Sequence, residues 1–237
     1  MIISLTTAEL REYVAAQLHV FFPDKYKFDG SSVVSAVKLA LDRYEFCFKH
    51  ISFVSDRQTS HWWQYVSDDG NVSFSHLHSD QYCQFLWFLS NSLWGLSQDK
   101  PLCDKLVMLN KALNGILVTY KCGLPDIFYL DHPIGTVLGN ASYSDYLVVL
   151  QGVSVNSGSV IEGKQMPFIG ESVFLSVGAK IIGDVRIGEM SSVGVDTVIY
   201  KTDVPSNHVV FRDSSRRIIM KENKGVCKAT DVWGLSR

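Results

Sequence analysis

Through the second half of the chain an aliphatic residue stands at every sixth position: Ile169, Leu175, Ile181, Ile187, Val193 and Ile199. Glycine follows it at 170, 188 and 194. A period of 3.6 marks a helix and a period of two a half-buried strand, whereas a hexapeptide period marks a parallel β-helix. Each hexapeptide makes one short strand and one corner, and three close a coil of about eighteen residues with the aliphatic side chain inside the prism. Four positions after each of the first five lie Val173, Ala179, Val185, Ser191 and Thr197, small enough to fill a corner. The same phase occurs upstream at Val137, Tyr143, Val149, Val155 and Ile161, but Ile169 follows eight positions later instead of six. Two extra residues kept inside the coil would turn later inward side chains outward, so a loop is predicted to leave the prism within Asn156 to Pro167.

The first half has helical periodicity. TTAELREYVAAQL offers Thr6 or Thr7 as a cap with Glu9 in the first turn, and SSVVSAVKLALDRYEFCFKHI begins with a serine cap. SDQYCQFLWFLSNSLWGL, with Ser79 as its expected cap, is apolar nearly all round, which predicts a helix buried among others. DKPLCDKLVMLNKALNGI makes a fourth helix ending near Gly115. Between the second and third, the Asp68-Asp69-Gly70 turn suggests a hairpin or loop. Glycines thicken after residue 115, which places a domain boundary near Val118.

Composition narrows the function classes. A hydrophobic content of 46% is ample for two cores, and a formal charge of -2 with dispersed Lys and Arg argues against nucleic acid or an anionic membrane as partner. No apolar run approaches the length of a transmembrane helix, and MIISLTTAELREY has no basic stretch before its short apolar start, so a cytoplasmic protein is expected. The five cysteines are scattered without CxxC spacing, which points to buried thiols and not to disulfides or zinc. His76 and His78 are two apart, poorly spaced for a metal on a helix, and no metal is expected.

The chemical candidate is His132, in Leu130-Asp131-His132-Pro133-Ile134-Gly135, just before the first coil. A histidine is the usual base for deprotonating a hydroxyl as it attacks an acyl donor. LDHPIGTVLGNASYSDYLVVLQGVSV, a loop, and PFIGESVFLSVGAKIIGDVRIG resemble the serine acetyltransferases, left-handed β-helix enzymes that acetylate serine from acetyl-CoA. The family has L-D-H-A-T-G, L-Q-S-V-T and G-A-K-I-L-G-N at these places, and the likeness covers roughly 125–205 well and the helical part loosely. The resemblance implies an α+β multidomain chain: a helical domain over 1–118, a left-handed β-helix acyltransferase domain over 119–205 and a C-terminal tail over 206–237. It also implies His132 as catalytic base with Asp131 facing the acceptor.

Where the family holds the substrate carboxylate with an Arg-His pair at the end of the loop, this chain has Gln165 and Met166, neither of which pairs with a carboxylate. Asp80 begins a segment similar to the family's D-K-Y, and four residues earlier His76 replaces the acid that grips the serine ammonium. The family's aspartate that orients the base falls at Leu117, leaving Asp126, Asp145 or a backbone carbonyl for that task. Gly158, Val177 and Val195 match the small residues along which the family lays its coenzyme, and Lys201 could meet the nucleotide phosphates. The resemblance further implies acetyl-CoA as acyl donor, coil amides as oxyanion donors and a homotrimer or dimer of trimers.

With both amino-acid handles altered, the expected acceptor is a sugar hydroxyl, as in the serine acetyltransferase-like proteins of surface-polysaccharide biosynthesis that LPDIFYLDHPIGTVLG resembles. A serine acetyltransferase of cysteine synthesis and a catalytically impaired β-helix scaffold are the alternatives.

Overall fold

The structure, a computed structural model, describes residues 1–52, 64–67, 69–156 and 166–235. It divides into two compact units, Met1–Lys121 and Cys122–Arg237.

The first unit packs α1 (Thr7–Phe21), α2 (Ser31–Phe48), α3 (Ser79–Ser97) and α4 (Lys100–Asn114), with the short parallel pair β1 (Ile2–Ile3) and β2 (Ser73–Phe74) and a final β3 (Leu117–Val118). Thr6 caps α1 in a capping box: its hydroxyl accepts from Glu9 N at 3.3 Å while the Glu9 carboxylate accepts from Thr6 N at 2.8 Å. Two expected caps differ. Gly30, at φ 90°, precedes α2 without a side-chain cap, and α3 is capped by His78, whose Nδ1 accepts from Gln81 N, and not by Ser79. Asp99 caps α4 and Gly115 ends it at φ 66°, the left-handed conformation that glycine adopts without steric cost. The α3 helix is buried on all sides from Asp80 to Ser90, as its unbroken apolar character predicts. Val66 and Val72 form an antiparallel bridge across Gly70, the hairpin suggested by the Asp-Asp-Gly turn.

The second unit is a parallel β-helix. Its first coil contains β4 (Phe128–Asp131), β5 (Val137–Leu138) and β6 (Ser142–Tyr143); its second contains β7 (Leu147–Leu150), β8 (Ser154–Val155) and β9 (Phe168–Ile169). The third contains β10 (Phe174–Leu175), β11 (Lys180–Ile182) and β12 (Arg186–Ile187), and the fourth β13 (Ser192–Val193) and β14 (Val198–Tyr200). Sheet I runs β4-β7-β10-β13 and continues into β15 (His208–Arg212), sheet II runs β5-β8-β11-β14, and sheet III runs β6-β9-β12. Sheet I is closed by β16 (Ile218–Glu222), antiparallel to β15.

Three stacked columns fill the prism: Leu130, Val149, Leu175, Val193 and Val210; Leu138, Val155, Ile181 and Ile199; Tyr143, Ile169, Ile187 and Val204. All are buried, and the corner residues Val173, Ala179, Val185, Ser191 and Thr197 are buried beside them. Each inward aliphatic side chain stabilises the coil by about 1.5–3 kcal/mol.

The register differs from the sequence expectation in two places. In the first coil the inward residue is Leu138, 2% exposed, and not Val137. The step from Leu130 to Leu138 is eight residues, where the same corner in the next coil, Val149 to Val155, takes six. The surplus lies in the stretch carrying His132 and Pro133. Further on, Val155 is followed in register by Ile169, eight residues more than a hexapeptide step, and the residues 157–165 of the predicted loop lie outside the described residues. Ile161, expected to continue the period, lies outside the described residues.

The chain beyond residue 205 is not a separate tail. β15 adds a rung to sheet I, and α5 (Lys228–Trp233) lies on the outer face of the same unit. Cys227 meets Ser192 Oγ at 3.6 Å, Lys228 lies over the Phe174 ring, and Trp233, 3% exposed, meets Tyr146 edge-on.

Candidate functional site

His132 follows the last residue of β4 and adopts φ 49°, an αL conformation uncommon outside glycine but enriched in histidine. With Pro133 it forms the surplus of the first I–II corner. Pro133 N cannot donate, and the turn closes through Ile134 N to His132 O at 2.7 Å and Thr136 N to Pro133 O at 3.1 Å. Thr136, fully buried, anchors the corner by donating its hydroxyl to Leu150 O at 3.1 Å. The bulge thus projects the imidazole outward from a rigid base, with 58% of its side chain exposed.

Asp131 Oδ1 lies 3.7 Å from His132 Nε2 and accepts the Tyr129 hydroxyl at 3.1 Å. Of the aspartates offered as orienting groups, Asp145 is used structurally: its Oδ1 accepts from Ile127 N at 2.9 Å and its carbonyl from Ser172 N at 3.0 Å.

The I–II corner repeats from coil to coil. Gly152 N donates to Ile134 O, Gly178 N to Gln151 O, and Asp196 N to Val177 O, each at about 3 Å. These bonds stack the His132 turn, Gln151-Gly152, Val177-Gly178 and Val195-Asp196 into one edge. At the strand spacing of about 4.8 Å, Val195 stands about 14 Å along that edge from the first corner. Glycines keep the edge narrow: a Cβ on Gly178, at φ 68°, would meet Asp196 Oδ1 at 2.1 Å. Val195 is 59% exposed and Ile134 71%, so the edge carries aliphatic side chains at both ends, with Gly152 and Gly178 between them. The amides of Gly152, Gly178 and Asp196 are spent in this ladder.

The remaining candidates lie elsewhere. Lys201, at φ 55°, belongs to the II–III corner, where its ammonium sits 5.1 Å from the Tyr200 ring centroid. Met166, 44% exposed, leads into β9 on the far side of that same corner. Gly158 and Gln165 lie outside the described residues. Within this unit the structure therefore gathers His132, Val177 and Val195 on one edge, and Met166 and Lys201 around another.

His76 and Asp80 belong to the first unit. His76 Nδ1 pairs with Ser4 Oγ at 2.8 Å and its ring lies edge-on to Tyr13; partial burial lowers its basicity, which disfavours the imidazolium. Asp80 is 4% exposed in the first turn of α3 and accepts from Ser79 Oγ at 3.2 Å. The Tyr129–Asp131 hydrogen bond has one signal in the sequence, the i, i+2 spacing, which on a strand puts both residues on one face.

Stacked coils with an exposed histidine at the head of a small-residue edge define a β-helix protein of the hexapeptide-repeat class. No family model matches the chain. In sequence it is similar to the serine acetyltransferase of Synechococcus elongatus (31% identical over 119 residues, 49% of this chain and 48% of the relative) and to that of Mycobacterium tuberculosis (35% over 83 residues, 35% and 36%). The chain spans about half or less of the length of the curated relatives it matches.

In fold it resembles a serine acetyltransferase solved with cysteine (TM-score 0.68, 17% identity, 96% of this chain and 84% of the other). It also resembles one solved with CoA (0.63, 17%, 90% and 84%) and the Neisseria gonorrhoeae enzyme solved with serine (0.63, 20%, 89% and 83%). The expected likeness to serine acetyltransferases, and the helical part followed by a parallel β-helix, are thus both found.

Proposed function

We propose that the chain is an acetyl-CoA-dependent O-acetyltransferase of the serine acetyltransferase type, with His132 as general base. The observation that carries this is the exposed His132 bulge at the head of the edge lined by Val177 and Val195. A pantetheine arm extended along that edge brings the thioester to the imidazole. His132 takes the proton of the acceptor hydroxyl as its oxygen attacks the thioester carbon. The tetrahedral adduct then collapses, the C–S bond breaks, and the imidazolium returns the proton to the departing thiolate, giving an O-acetyl ester and CoA.

Serine is the first acceptor, because the relatives in sequence carry that activity in their names. A sugar hydroxyl is the second reading, favoured by the uncharged Met166 at the loop end and by His76, whose imidazolium is disfavoured. The two candidate edges also support an assembly in which the I–II corner of one copy meets the II–III corner of the next, uniting His132 with Lys201 of a neighbour, as in a trimer.

The experiment is thiol release from acetyl-CoA with serine or a panel of sugars as acceptor. Turnover with one class names the acceptor, and His132→Ala should lower kcat by roughly 10²–10⁴ with the fold retained. Near-wild-type turnover in that variant removes the base, and release with no acceptor in either class removes the function.

A further inference from the structure

We infer that Tyr129 is a positioning residue that acts on His132 through Asp131, an inference that rests on His132 being the base of the proposed transfer. On β4, Phe128 and Leu130 point inward and are fully buried, while Tyr129 and Asp131 point outward and are half-buried. The phenol donates to Asp131 Oδ1 at 3.1 Å, and this same oxygen faces His132 Nε2 at 3.7 Å. The second distance is too long for a hydrogen bond, so the contact between carboxylate and imidazole is electrostatic.

An aspartate at a strand end, with a third of its side chain exposed, has several rotamers open to it. The Tyr129 hydroxyl selects the one that puts Oδ1 beside the ring. The strand holds Tyr129 in turn, so the carboxylate is located by a rigid element and not by the bulge it serves.

The consequence falls on the transition state. When the imidazole gains the acceptor's proton it becomes a cation, and the Asp131 carboxylate 3.7 Å away attracts that developing charge. In a water-like dielectric, Coulomb attraction at this range corresponds to about a five- to tenfold rate effect. This supplies a negative partner to the base even though the sequence position expected to provide one is Leu117. Tyr129 adds no charge of its own; it keeps the charge of Asp131 where it acts.

Tyr129→Phe removes the hydroxyl and keeps the ring, so the coil should fold. We expect kcat to fall about three- to tenfold with KM for acetyl-CoA unchanged, Asp131→Asn to fall at least as far, and the double variant to be no slower than Asp131→Asn alone. Losses that multiply in the double variant, or a Tyr129→Phe effect confined to KM, would overturn the inference.

A second readout does not need turnover. In protein labelled with 15N-histidine, the ring nitrogen signals of His132, assigned with His132→Ala, should move in Tyr129→Phe and move no further when Asp131→Asn is added. If the wild-type chain acetylates nothing, the transfer reading fails while these signals still report the coupling. Signals that stay in place in Tyr129→Phe remove the positioning role whatever the activity.

Discussion

Replacing Ile181 by alanine tests the inward columns where they are deepest. Ile181 is fully buried on β11, between Val155 below and Ile199 above, and its neighbour Ile182 on the same strand points outward with 43% exposure. Truncation removes three carbon atoms, about 2.4 kcal/mol of transfer free energy at 0.8 kcal/mol each, and leaves a cavity that the coils above and below cannot close because their strands are held in register. The expected loss is therefore about 3–4 kcal/mol. Ile182→Ala should cost under about 1 kcal/mol, since much of that side chain is already in water. In a urea titration read by pulse proteolysis, with fragments of the second unit followed, a slope of about 2 kcal/mol/M converts the Ile181 loss into a midpoint lower by roughly 1.5–2 M. Equal losses at Ile181 and Ile182 would refute the inward–outward assignment. The same pair of measurements at Leu138 and Val137 checks the shifted first coil: the larger loss is expected at Leu138, and a larger loss at Val137 would restore the unbroken hexapeptide phase.

All five cysteines are buried, and desolvation holds the Cys103 and Cys122 thiols up to about 12, so none should react rapidly with a disulfide reagent in the native protein and all five should react in denaturant; fast native labelling of any one would contradict its burial. The hydrogen bond from Lys105 Nζ holds the Asp24 carboxyl below its ordinary range. A depressed carboxyl stabilises the fold above its unfolded pKa, near 4, and that contribution disappears as pH falls through the native value. Wild type should therefore be more stable than Asp24→Asn at pH 6–7 and the two should converge on acidification below about 4; a gap that persists unchanged to pH 2 would show that the pair contributes nothing through charge.

The hexapeptide spacing by itself specified the architecture, because only a three-sided coil turns every sixth side chain inward and needs a small residue at each following corner. It also predicted that the surplus falls between Val155 and Ile169, which are successive inward positions fourteen residues apart. Local chemistry set several helix ends as well: Thr6 with Glu9, Asp99 and Gly115 act where their side chains or lack of one predict.

Periodicity could not say where a surplus residue is absorbed. Corners carry positive-φ residues that accept insertions, strands do not, and so the corner at His132 took two residues more than the hexapeptide while the next, Leu138 to Tyr143, took one fewer, which moved the inward position from Val137 to Leu138. Nor could it place the C-terminal segment. The outward residues Val148 and Phe174 are apolar on a face that repeat logic leaves to solvent, and only packing shows that sheet I lies under Cys227, Lys228 and Trp233.

The contact of Tyr129, Asp131 and His132 belongs to the tertiary structure for the same reason. Residues 129 and 131 share a face only once β4 is known to be a strand through Asp131, and His132 turns back toward the carboxylate only because its backbone is left-handed. Sequence sets the period and the residue types; the closing of each corner, a contest between ladder hydrogen bonds and backbone strain, decides which side chains meet.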